Sequence, residues 1–128
     1  MKDEHCRPDT RHFHKSWPLE KVVLFSRYVA ALEAFVLKNG WHHLYRCYVS
    51  EWCSFKVQPN QAAFGIDGRR NDLKLYVKLS VDEAVRFAIP FVPDEDNGQV
   101  LYDFPAGKAG LARFESVLEY AYHKILPA

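Results

Sequence analysis

Apolar positions recur along this chain with two different periods, and the switch between them outlines the fold. From Pro18 to Lys38 the spacing is helical: Val22, Phe25, Val29, Leu32 and Val36 fall on one stripe, flanked by Leu24, Tyr28, Ala31 and Phe35. Ser16 is placed to cap this helix, Pro18 fits its first turn, Glu20 sits at the positive end of the dipole and Gly40 ends it. A second helix is predicted from Lys108 to Ile125. There Leu111, Phe114, Leu118, Ala121 and Ile125 form a narrower stripe opposite Arg113, Glu115, Glu119 and Lys124.

Between the helices the period drops to two. Trp41 to Val57 alternates as one long strand or two strands around a bend, with Tyr45, Cys47 and Val49 expected on the core side and Arg46 and Tyr48 opposite. Holding that register would bury Glu51, so a bulge or turn is expected near Ser50 and Glu51, after which Phe55 and Val57 face inward. A strand at Ala63 to Asp67 puts Phe64 and Ile66 inside, and the polar turn Asp67 to Asp72 follows. Leu73, Leu75, Val77 and Leu79 then alternate with Lys74, Tyr76, Lys78 and Ser80 in the cleanest half-buried pattern of the chain. Ser80 and Asp82 signal a helical turn through Arg86, and Phe87 to Val92, broken by Pro90, reads as an edge strand. The acidic turn Pro93 to Gly98 leads into a last strand, Gln99 to Phe104.

This order predicts an α+β fold of two layers, with N-terminal and C-terminal helices packed on one face of a mainly antiparallel five-stranded sheet. Residues 1–15 lack periodicity and are expected to form a flexible arm, leaving residues 16–128 as one α+β domain. The helix and strand order resembles that of small secretion-chaperone-like domains, which hold unfolded client segments on a dimer; the acidic bias usual in that group is absent here. The apolar arc of the first helix, widened by Leu24, Tyr28 and Phe35, needs a cover from the second helix or from another copy in a homodimer.

Composition narrows the function classes. With 17 basic and 16 acidic side chains the net charge is +1, so any attraction to nucleic acid or to an anionic membrane must come from a local patch. Cys6, Cys47 and Cys53 make an odd count without framework spacing, which fits reduced thiols and a cytoplasmic location. Met1 to His14 lacks the apolar segment of a secretory signal, and no apolar run is long enough to span a bilayer.

Candidate chemistry is sparse. His5, Cys6, His12 and His14 gather metal-ligand types in the arm, but their spacing matches no finger or ribbon, and no metal or cofactor is expected. Asp72 and Lys74, with Asp67 upstream, are similar to the acid and lysine step of restriction-type nucleases, yet they lack the longer hairpin of that group. The serines lack a nucleophile elbow, the cysteines lack a protease signature, and the glycines form no phosphate-cradling loop. No catalytic residue is assigned.

The outward face of the strands is richer. Arg46, Tyr48, Lys56, Lys74, Tyr76 and Lys78, with Trp52 and the turn residues Arg69 and Arg70, bring cations and aromatics together. The expectation is a non-catalytic domain that binds a protein partner, of the immunity-protein, toxin- or effector-antagonist or secretion-chaperone kind, through Arg46, Tyr48, Trp52, Arg69, Arg70, Tyr76 and Lys78. Single-stranded nucleic acid held on the same face is the alternative, and a metal-dependent enzyme is the third possibility.

Overall fold

Six strands pair antiparallel into one sheet, in the order β1-β2-β3-β4-β6-β5, in a computed structural model that describes residues 6–7, 16–70, 72–105 and 110–126. The strands are β1 (Tyr45–Val49), β2 (Trp52–Gln58), β3 (Gln61–Asp67), β4 (Lys74–Val77), β5 (Val92–Asp94) and β6 (Gln99–Asp103). Among the described residues three α-helices accompany them: α1 (Leu19–Lys38), the single turn α2 (Val81–Ala84) and α3 (Glu115–Ile125). The α+β class and the antiparallel sheet follow the sequence expectation. The sixth strand arises because Trp41 to Val57 divides into β1 and β2 at a two-residue turn, with Val49 opposite Trp52 and Ser50 in the left-handed region at φ 54°.

That tight turn also settles which side of β1 meets the helices, and it reverses the expectation. Phe55 is an inward residue of β2, and its partner across the ladder is Arg46; likewise Cys53 lies opposite Tyr48. Tyr48 is therefore buried beneath α1, its ring 6.2 Å from that of Phe25, while Arg46 at the rim pairs with Glu33 of α1 at 3.1 Å. Tyr45, Cys47 and Val49 take the other side. No bulge is needed at the turn; the register shifts come later in β2, next to Lys56.

The core lies between this face and the two long helices. Phe25, Leu32, Phe64, Ile66, Leu75, Val77, Val100 and Leu118 are almost fully buried. Edge-on ring contacts join Trp41 to Phe64 and Tyr102 to Phe114. The wide arc of α1 finds its cover within the chain: Phe35 is buried, Leu24 and Tyr28 pack on the core, and Tyr28 stacks on Phe104 with ring centroids 3.8 Å apart.

Helix ends follow local chemistry with one correction. Pro18, not Ser16, occupies the cap position of α1; its carbonyl accepts the Lys21 and Val22 amides, and no side chain caps the end. Gly40, at φ +69°, closes the other end with the Gly40 amide donating to Leu37 and the Trp41 amide to Val36, a Schellman arrangement. Ser80 caps α2 in a full capping box with Glu83. Phe87 to Val92 is not a strand: Val85–Phe87 continues α2 as a 3-10 turn, Ala88 is left-handed, and the edge strand starts only at Val92. The last helix enters through a 3-10 segment, Gly110–Phe114, before α3. Among the described residues, no helix is long and apolar enough to cross a membrane.

Candidate functional site

The face of the sheet turned away from the helices is built in rows across the strands. In one row Tyr76 of β4, Gly65 of β3 and Ser54 of β2 stand opposite one another. A Cβ on Gly65 would come within 2.0 Å of the Cys53 carbonyl oxygen and 2.7 Å of the Tyr76 ring. Lacking one, the Tyr76 side chain reaches over β3, and its hydroxyl donates to Ser54 Oγ at 2.6 Å. Tyr76 is 1% exposed, and burial pushes its phenol up in pKa despite the bond to Ser54, so it remains a neutral donor.

The neighbouring row holds Trp52, Asp67 and Lys74. Trp52 meets the Tyr76 ring edge-on at 5.3 Å, and the Arg69 guanidinium lies 4.4 Å above the indole. Arg69 is itself fixed by buried Asp67, through its Nε at 3.0 Å and its terminal nitrogen at 2.7 Å, and by Asp94 at 3.0 Å. Asp94 also accepts from Asn97 and Gln99, which ties the loop after β5 to the turn after β3. Burial opposes ionisation of Asp94, but these amide and guanidinium donors hold its carboxyl below the usual carboxylate range.

Two lysines lie further along this face. Lys56 of β2 pairs with Ala62 of β3, and Lys78 follows β4 on the same side. Between them opens a pocket of about 290 Å³, lined also by Trp52, Ser54, Asn60, Ala62, Tyr76, Asn97 and Gln99. Its size follows from small residues on β3, where a large side chain at position 62 would fill the space between the lysines. Lys56 is only 8% exposed. Lys78 donates to the Asn97 carbonyl at 2.7 Å, and burial, with the Lys56 charge adding to it and Asp94 opposing, lowers its pKa. None of the described residues lining this pocket is acidic.

The sequence-derived site is thus partly assembled and partly dispersed. Trp52, Tyr76 and Lys78 line the pocket, and Arg69 braces Trp52 from outside. Arg70 is exposed on the turn, Arg46 is engaged with Glu33, and Tyr48 lies in the core. With Tyr48 and Tyr76 both buried, the expected run of exposed rings for stacking bases does not form. Sequence reasoning missed Ser54, Asn60, Asn97 and Gln99. Ser54 is two residues before Lys56 on one strand, which is a usable signal, whereas Asn60 and Asn97 come from turns and Gln99 from the start of β6, and their approach is tertiary.

The other candidate constellations separate. Asp67 is taken up by Arg69, and Asp72 and Asp103 both pair with Lys74 at the surface. Cys47 and Cys53 point to opposite sides of the sheet, and burial pushes the Cys53 thiol far up. Cys6 lies against the β1 edge, its Sγ donating to the Arg46 carbonyl at 3.5 Å, next to a two-bond bridge between Arg7 and Tyr48. His5, His12 and His14, like most of the expected arm, fall outside the described residues. Among those described, no three His, Cys, Asp or Glu side chains are grouped to hold a metal ion. No protein-family model, no curated protein and no solved structure matches this chain.

Proposed function

We propose that this is a non-catalytic binding domain that takes an acidic group, carried by a protein partner, into the pocket on the open face of its sheet. The observation that supports this is the pair of lysines: Lys56 and Lys78 face one small cavity whose described lining offers hydroxyls, amides and rings but no carboxylate. Burial disfavours the charge of Lys78, and an anion arriving beside it recovers part of that cost. Ser54 adds a neutral hydroxyl, oriented by the Tyr76 phenol that donates to it, and the Asp67, Arg69 and Asp94 network holds Trp52 and the Asn97 loop in place beforehand.

The same groups support binding better than turnover. Tyr76 keeps its proton, and its hydroxyl is spent on Ser54 at the edge of the pocket.

The test is an NMR titration of the side-chain ammonium and indole signals with glutarate and with inorganic phosphate. Saturable shifts confined to Lys56, Lys78 and Trp52, and abolished by Ala62→Leu in a protein that still melts cooperatively, are expected. Shifts that grow linearly and spread over the exposed lysines would overturn the proposal.

A further inference from the structure

The pocket does not end at Lys78. A second cavity of about 600 Å³ adjoins it and shares Asn60, Ala62, Lys78 and Asn97 as lining, so that Lys78 stands between the two. The second cavity runs past the turn joining β2 and β3 and reaches Lys124, Ile125 and Leu126 at the end of α3. No acidic residue is among the described lining of either cavity. Beyond Lys124 the lining turns acidic: Glu83 pairs with it at 2.7 Å, and Asp82 and Glu95 share the next cavity with it, so the basic groove ends there.

Three features of this groove constrain its occupant. Lys56, Lys78 and Lys124 succeed one another along it, which suits a chain of negative charges. Its remaining polar lining is mostly amide: Gln58, Asn60, Gln61, Asn97 and Gln99. Each primary amide offers donors and an acceptor together, the complement of a peptide backbone with its alternating N–H and C=O groups. The third feature is a lack of stacking surface. Among the described lining residues, only Trp52 and Tyr76 carry rings, Tyr76 is buried, and one face of Trp52 is covered by Arg69. Single-stranded nucleic acid, which draws much of its affinity from bases on aromatic faces, finds little here.

We infer that the occupant is an extended acidic segment of the partner protein, which enters between Lys56 and Lys78 and continues over the sheet rim toward Lys124. This rests on the pocket's role as the receptor of an acidic group and adds the class and direction of the ligand.

The experiment is fluorescence anisotropy with labelled oligoglutamates of increasing length, alongside oligolysine, oligothymidylate and the glutarate titration. Affinity is expected to rise with glutamate length and then level off. The double variant Gln58→Glu, Gln61→Glu, which places like charge on the outer cavity alone, is expected to weaken the long peptides about tenfold and to leave glutarate unchanged. Longer peptides that gain nothing over glutarate would overturn the extended groove while the anion pocket survives. Failure of glutarate and peptide alike would overturn both. Oligothymidylate that binds more tightly than the peptides and displaces them would overturn the assignment to a peptide.

Discussion

Gly65 stands between Ser54 and Tyr76, and any side chain there meets the Cys53 carbonyl at a distance no Cβ tolerates. Gly65→Ala is therefore expected to cost about 3 kcal/mol or more in denaturant unfolding, since either β2 or the Tyr76 ring must move. It is also expected to disturb the pocket, because Tyr76 is one of its walls. Tyr102 carries the opposite sign. Its hydroxyl is buried on the helix side of the sheet with no hydrogen-bond partner among the described residues. Tyr102→Phe removes an unsatisfied group while keeping the ring that packs on Phe114, so stability is expected to be unchanged or to rise by about 1 kcal/mol. A clear loss in the same unfolding experiment would show that the hydroxyl is satisfied. In β4 alternation was a good guide to sidedness and a poor one to exposure. Lys74, Tyr76 and Lys78 all lie on the side their spacing indicated, but period-two spacing carries no information on what lies beside a residue. Tyr76 is buried because its neighbour is glycine, which only the pairing of strands reveals.

Elements whose chemistry is local were legible in the chain. The turn of α2 is signalled by Ser80, and the end of α1 by Asn39 and Gly40. The facing of β1 was not legible, because Tyr45, Cys47 and Val49 are more apolar than Arg46 and Tyr48 and the pattern therefore points to the wrong side. The choice is made by pairing with Phe55 in the next strand. Glu83 shows how a local motif acquires a tertiary role: it completes the capping box, and it also accepts from Tyr120 at 2.9 Å and from Lys124 at 2.7 Å of α3. Burial works to raise its pKa, but those donors and the Ser80 amide outweigh it and hold the carboxyl at about 2, against an ordinary 4.5. With the folded value depressed, the stabilisation from Glu83 is complete above the ordinary value and is lost as pH falls through the folded one. Wild type is expected to exceed Glu83→Gln by about 1 kcal/mol near neutral pH, with the gap closing between about pH 4.5 and about pH 2. A gap that stays constant down to the acid limit would mean that the carboxylate does not join α2 to α3.

For the whole molecule, the net charge of +1 conceals a separation that matters more. One side of the six-stranded sheet is spent on the core beneath α1 and α3, and the other carries two lysines around a cavity with no acidic lining among the described residues. The α+β class was legible because two amphipathic helices enclose a run of period-two strands. The pocket was not, since it depends on Ala62, Asn97 and Gln99 converging from separate turns and strands. If the pocket is a receptor for an acidic group, the protonation of Lys78 must report it. Burial lowers its pKa from the 10.5 of an ordinary lysine in the free protein, and an anion bound beside it favours the charged form. The decisive measurement is the pKa of the Lys78 ammonium by NMR, with and without saturating glutarate. A value below the ordinary one that rises on binding is expected. A value at the ordinary level, or one that glutarate leaves unmoved, would contradict the assignment of this pocket.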